Sequence, residues 1–216
     1  MAGRLVVAHR TPPTAAACDE LAAAGAQIFE IDVQLRHDEL AVSHYLPAHG
    51  TRGRLEHDMF RFRRTPAQLS DPRFADAAAV VPADRTVLVD PKETDPARRR
   101  ELTARLIIDL IPRERYIVST PNPEALDELR AHGIRTWRTV RNPRELRAVL
   151  RSGRIEDEAV TVRHILLRPA VVEKLHAVAP AIVAWTVNSL PRIRQLQTWG
   201  VDGITTDTGH LMDKVL

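Results

Sequence analysis

The sequence predicts an α/β protein, a compact single-domain (β/α)8 barrel. Three observations carry that reading: eight short β-branched runs, cap signals opening several of the stretches between them, and glycines closing several others. A strand–cap–helix–glycine unit repeated at this spacing is a βα alternation, whose strands run parallel beneath a cover of helices. Eight such units in 216 residues suit a closed barrel. An open doubly wound sheet would use fewer strands and a glycine-rich phosphate turn, and the chain has no G-x-G-x-x-G or P-loop pattern.

The first run, residues 5–8, ends at His9-Arg10, and the second, residues 28–33, follows a stretch closed by Gly25. The chain then continues through Gln34-Leu35, turns over residues 36–39 and returns over 40–43. This reads as a small β-hairpin excursion whose four-residue loop pairs Leu35 with Leu40 and sets Ile31 opposite His44. Residues 47–82 interrupt the pattern and read as a loop inserted over one face before the third strand. The remaining runs are 86–89, 116–119, 134–140, 159–165, 181–187 and 203–206. Asp95-Pro96, Asn122-Pro123 and Asn142-Pro143 each offer a side-chain oxygen for free helix amides and a proline for the first turn. Gly25, Gly133, Gly153 and Gly200 fall where a helix end takes a left-handed conformation. No composition shift marks a boundary, so residues 1–216 read as one domain.

Composition narrows the function classes. The 31 basic and 28 acidic side chains leave a net charge of only +3, with arginines dispersed among acids and no aromatic platform alternating with them, which argues against a nucleic-acid partner. Cys18 is the single cysteine, which excludes an intramolecular disulfide framework and a four-cysteine zinc site and fits a reducing compartment, with the cytoplasm the expected location. After Met1-Ala2-Gly3-Arg4 only four apolar residues, Leu5 to Ala8, precede His9, too few for a signal peptide or a membrane span, so no membrane insertion is expected. The stretch from Arg52 to Arg64 alternates Arg52, Arg54, Arg61, Arg63 and Arg64 with Met59, Phe60 and Phe62. It reads first as a solvated loop and second as a lid or peripheral contact with anionic lipid.

Barrels keep their chemistry at the carboxyl ends of strands. Those ends carry His9-Arg10, Glu30 with Asp32, Asp90 with Lys92, Ser119-Thr120, and Trp185 with Asn188. Because strand side chains alternate, Ile28, Glu30 and Asp32 share one face while Phe29, Ile31 and Val33 share the other. Two carboxylates projecting together into a partly buried mouth repel each other, and a divalent cation removes the conflict. Asp90 completes a three-carboxylate set, with Lys92 as an anion contact beside it. All-oxygen donors favour Mg²⁺ or Ca²⁺ over zinc. The alternative is that Glu30 and Asp32 pair with Arg10 and Lys92 as salt bridges without a metal. The hairpin carries His44 toward the same strand end as His9, and two imidazoles facing a common ligand suit a general acid and base.

These residues also carry a family resemblance. Val6-Val7-Ala8-His9-Arg10, then Gly25-Ala26, Glu30-Ile31-Asp32-Val33-Gln34-Leu35 and Val42-Ser43-His44, resemble the glycerophosphodiester phosphodiesterase family. The segment from Ala184 to Asn188 and that from Gly200 to Asp207 are similar to its closing motifs. The resemblance implies a metal-dependent barrel enzyme cleaving a small-molecule phosphodiester beside a free hydroxyl, often through a cyclic phosphate. It further implies Glu30, Asp32 and Asp90 as metal ligands, His9 and His44 as acid and base, Arg10 and Lys92 on phosphate oxygens, and Trp185 lining the pocket. Thr11 stands where the family usually has glycine, and Asp90-Pro91-Lys92 is similar to the Asp-x-Lys of the related spider-venom sphingomyelinase D and phospholipase D. Two alternatives therefore stay open: a phospholipase D-like lyase releasing a cyclic phosphate, and a non-catalytic barrel that binds a phosphorylated ligand.

Overall fold

The computed structural model describes residues 4–36, 38–43, 45–47, 53–56, 64–66, 72–93 and 95–215, and only the backbone of 45–47, 53–56 and 64–66. The chain opens with β1 (Leu5–Ala8), α1 (Ala15–Ala23), β2 (Ile28–Arg36) and β3 (Glu39–Val42). Short strands β4 (Tyr45–Pro47), β5 (Gly53–Glu56) and β6 (Arg64–Pro66) come next, then helix α2 (Phe74–Ala79). Strict alternation follows: β7 (Thr86–Pro91), α3 (Pro96–Asp109), β8 (Tyr116–Thr120), α4 (Pro123–Ala131), β9 (Arg135–Val140) and α5 (Pro143–Arg151). The last units are β10 (Ala159–Arg163), α6 (Pro169–His176), β11 (Ile182–Trp185), α7 (Leu190–Thr198), β12 (Gly203–Thr206) and α8 (Gly209–Met212).

Eight parallel strands close into a barrel in the order β1-β12-β11-β10-β9-β8-β7-β2, and β2 returns to β1 through Val7↔Ile28 and Ala8↔Phe29. The eight expected runs are these eight strands. Alternation along each strand divides the core in two. Val6, Ala8, Phe29, Ile31, Val33, Val87 and Val89 face outward into the layer that the helices cover. Val7, Ile28, Leu88, Ile117, Trp137, Ala159 and Val183 face inward and fill the barrel floor. Burying each large side chain of this kind contributes about 1.5–3 kcal/mol. Above that apolar layer Ser119 Oγ meets Thr139 Oγ1 at 2.8 Å, a buried pair of hydroxyls satisfying each other. At the floor, a Cβ added to Gly203 would lie 2.8 Å from Leu5 Cβ, so the close approach of β12 to β1 requires glycine.

The helix ends follow the local chemistry. Asp95, Asn122 and Asn142 accept hydrogen bonds from first-turn amides of α3, α4 and α5. Gly25, Gly133, Gly153 and Gly200 all have positive φ.

Three features differ from expectation. The hairpin keeps the Leu35↔Leu40 register but extends it one pair further, to Arg36↔Glu39, with Asp38 at φ 64°. Aspartate tolerates that conformation. The stretch 47–82 carries strands β5 and β6, which form an antiparallel sheet with β4 at its start, and helix α2. Strands of three or four residues are too short to show alternation. Strands β10 and β11 end sooner than the apolar runs do, at the registered pair Arg163↔Trp185, where parallel partners run out and a 3₁₀ turn (His164–Leu166) follows β10. Arg52, Met59, Phe60, Arg61, Phe62 and Arg63 lie outside the described residues. Among the described residues no helix is long and apolar enough to cross a membrane.

Candidate metal centre and active site

The inward alternation of β2 carries Glu30 and Asp32 to the carboxyl-end rim, and the register Asp32↔Asp90 sets β7 beside them. One carboxylate oxygen from each of Glu30, Asp32 and Asp90 lies within 4.8 Å of the others. Glu30 and Asp32 are only 3% and 4% exposed. Lys92 follows two residues after Asp90 on the same face. Its Nζ lies 2.9 Å from Asp32 Oδ1 and also ion-pairs with Asp90 Oδ2. The backbone N–H of Arg10 donates to Glu30 Oε2 at 2.6 Å, and that of Thr11 donates to the Glu30 carbonyl at 2.9 Å. Arg10 takes the left-handed backbone conformation, φ 52°, as the chain turns off β1 over the cluster.

The salt-bridge alternative is thus realised in part, by Lys92. Among the described residues its single ammonium pairs with Asp32 and Asp90, while Glu30 lies in the same three-carboxylate set. Burial, then the neighbouring Asp32 charge, raises the Glu30 carboxyl well above its ordinary range. Burial also raises Asp90, against the opposing pull of Lys92. Burial disfavours the Lys92 charge, but Asp32, Asp90 and Glu30 outweigh it and raise its pKa. Excess negative charge in a buried set of oxygen donors is the environment that a hard divalent cation relieves, so these residues fit such an ion.

His9 leaves the end of β1 with its Nδ1 2.5 Å from Asp207 Oδ1. Asn188 Nδ2 donates to Asp207 Oδ2 at 2.6 Å. The Asn188 amide is itself fixed, because its Oδ1 accepts from Thr206 Oγ1 at 2.8 Å and from the Asp207 N–H at 3.0 Å. Burial alone would raise the Asp207 carboxyl; hydrogen bonds from His9 and Asn188, with the charges of His9 and Arg10, outweigh it and lower it. With its Nδ1–H directed at a carboxylate, His9 presents Nε2 as an acceptor. Nothing local in the sequence assigns Asp207 a role beyond its motif, since its partner is 198 residues away. Its place one residue past a barrel strand was the available signal.

Trp185 is half-buried at the end of β11, and its Nε1 has no hydrogen-bond partner among the described residues. His44 lies outside the described residues. The hairpin bearing it is held to the site as far as Ser43, whose N–H donates to the Asp32 carbonyl at 3.0 Å. His9, Arg10, Glu30, Asp32, Asp90, Lys92, Trp185 and Asp207 thus come from five consecutive strands of the ring, β11-β12-β1-β2-β7.

Solved structures with this fold include a glycerophosphodiester phosphodiesterase from Thermotoga maritima, with TM-score 0.72 and 18% identity over 100% of both chains. A phosphodiesterase from Oleispira antarctica in complex with the product sn-glycerol-3-phosphate has TM-score 0.72 and 17% identity over 98% of this chain and 96% of that one. A glycerophosphodiester phosphodiesterase from Parabacteroides distasonis has TM-score 0.69 and 18% identity over 98% and 95%. These likenesses establish the barrel. No curated protein matches the chain. The model of the glycerophosphoryl diester phosphodiesterase family, a family of enzymes, matches residues 87–210, more than half of the sequence. The chain belongs to the glycerophosphoryl diester phosphodiesterase family.

Proposed function

We propose that the chain hydrolyses a glycerophosphodiester to glycerol phosphate and a free alcohol, with one Mg²⁺ or Ca²⁺ held by Glu30, Asp32 and Asp90. The convergence of those three carboxylates within 4.8 Å, at the rim that also carries His9, supports this reading above any other observation. When bound, the cation supplies charge neutralisation at the phosphoryl oxygens. Lys92 hydrogen-bonds Asp90, lies in ion-pair distance of Asp32 and, with three N–H donors, can also give one to a phosphoryl oxygen. Arg10 holds a second oxygen, and Trp185 forms the apolar wall of the pocket. His9, with Asp207 holding its Nδ1–H, takes the proton from the glycerol hydroxyl next to the phosphate through Nε2. That hydroxyl attacks phosphorus while His44 protonates the departing alcohol, leaving a cyclic phosphate. Water then opens the ring with the proton-transfer roles exchanged. The Oleispira antarctica relative, solved with sn-glycerol-3-phosphate, supports this choice of substrate class.

Turnover of glycerophosphocholine, with and without a chelator, tests the reading. Chelator-sensitive release of choline and ring-opened glycerol phosphate is expected. Accumulation of cyclic glycerol phosphate would make the chain a lyase, and absence of turnover on glycerophosphodiesters would reduce it to a binding protein.

A further inference from the structure

Across the mouth from the acidic cluster the rim is basic. β10 lies four strands from β2 in either direction around the ring, so its carboxyl end faces Glu30 and Asp32. Arg163 ends β10 on the face shared by Ala159 and Thr161, both turned into the barrel, and is the registered neighbour of Trp185. Behind it, Arg192 from the first turn of α7 donates to the carbonyls of His164 and Leu167, and its guanidinium packs 4.8 Å from the centre of the Trp199 ring. Arg192 Nε also donates to His164 Nδ1 at 3.3 Å, and Arg168 follows at the start of α6. Among the described residues no carboxylate forms an ion pair with Arg163, Arg168 or Arg192. By contrast Arg130 and Arg138, also partly buried, both bind the fully buried Asp157. The uncompensated field is felt locally, since burial and then the charges of Arg192 and Arg163 hold the His164 imidazole below its ordinary range.

We propose that Arg163, backed by Arg168 and Arg192, is a subsite for a second anionic group, a phosphate or carboxylate carried on the alcohol side of the phosphodiester. This rests on the hydrolase reading above and specifies its substrate. Eight strands about 4.8 Å apart and tilted about 36° enclose a ring roughly 15 Å across. An extended arginine on one wall and carboxylates on the other leave room for one phosphodiester and a short linker. A diester held at the acidic corner with its leaving group directed across the mouth brings that group to Arg163. Arg163, half-buried as a residue, offers a planar fork of donors matched to a phosphate or carboxylate.

The test compares glycerophosphoglycerol with bis(glycerophospho)glycerol, which has the same leaving alcohol bearing a second phosphodiester. The wild type is expected to favour the second in kcat/KM by about tenfold, a preference that shrinks as salt rises. Arg163→Gln collapses the ratio toward one, and Arg163→Lys restores part of it. A wild-type ratio near one, or a ratio that Arg163→Gln leaves in place, overturns the subsite. A readout independent of turnover is calorimetric binding of inorganic pyrophosphate in the presence of chelator, expected to weaken at least fivefold in Arg163→Gln at unchanged melting temperature. Pyrophosphate binding that is indifferent to Arg163→Gln overturns the subsite even if both diesters are cleaved. Pyrophosphate binding lost in the variant, with neither diester cleaved by the wild type, upholds the anion site and removes the hydrolase reading instead.

Discussion

Replacing Asp207 by asparagine changes one atom and should nearly silence the proposed chemistry. The new amide must choose which end to turn toward His9. Asn188 Nδ2 donates to Asp207 Oδ2, and Asn188 cannot reverse, because its oxygen already accepts from Thr206 Oγ1 and from the Asp207 N–H. The amide oxygen of the variant is therefore held at Asn188, and its NH₂ faces His9 Nδ1. That nitrogen must then accept, the ring proton moves to Nε2, and His9 loses the lone pair with which it would take a proton. The variant also loses the charge-assisted hydrogen bond to the imidazolium formed during turnover, worth about 1.5–3 kcal/mol. At 1.36 kcal/mol per tenfold in rate, that alone is about 10- to 100-fold. Together with the inverted tautomer, kcat on glycerophosphocholine should fall by about 10² to 10⁴, the usual worth of a positioned base. KM should stay within about threefold, because no substrate contact is removed. Melting temperature and calorimetric Mg²⁺ affinity, measured alongside, should match the wild type. A variant with kcat within threefold of wild type would refute this orienting role and leave Asp207 a structural partner of His9.

His9→Ala and His44→Ala should each fold, by circular dichroism and melting, and lose about 10² to 10⁴ in kcat. Asp90→Asn should weaken Mg²⁺ or Ca²⁺ binding at least tenfold by calorimetry, and unchanged affinity would exclude it as a ligand. Because Glu30 and Asp90 are both raised above their ordinary range, protons compete with the cation, so calorimetric affinity should be full at alkaline pH and fall as pH drops through the raised range. Gly203→Ala should destabilise the barrel, since its Cβ would lie 2.8 Å from Leu5 Cβ; about 1–3 kcal/mol of overpacking corresponds to a melting temperature lower by about 2–12 °C.

The barrel was legible because each of its strands writes a β-branched run and the helices announce their ends through Asp95, Asn122, Asn142 and positive-φ glycines such as Gly133. Glu30, Asp32 and Asp90 were legible for a related reason: alternation along two strands adjacent in the ring is enough to put them on one face, and the register Asp32↔Asp90 does the rest. The sheet of β4, β5 and β6 was not, because its strands are three or four residues long and pair only with each other. Asp207 and Arg163 escaped for another reason. A carboxylate that orients a histidine is recognised by the histidine, and His9 stands at the other end of the chain. An arginine among many becomes informative only when its lack of an acidic neighbour is visible, and pairing across a barrel mouth is not written in local sequence.

The distribution of charge around the rim gives the site a direction. Negative charge gathers on β2 and β7, where Lys92 offsets only part of it, while positive charge gathers on β10 and the turns leading into α6 and α7. A neutral or cationic alcohol gains nothing from the far wall. A diester with a second anion experiences a field running from one wall to the other, which resists the reversed binding mode as well as favouring the productive one. In the reversed mode the reacting phosphate would sit beside Arg163, more than half a barrel diameter from His9, and the remote anion would lie against the carboxylates. Orientation thus follows from the electrostatic asymmetry of two opposite strand ends, and Arg163→Glu, which makes both walls acidic, should lower turnover of bis(glycerophospho)glycerol more than Arg163→Gln does. Equal losses in the two variants would show that Arg163 acts through hydrogen bonds alone and that the field across the mouth contributes nothing to orientation.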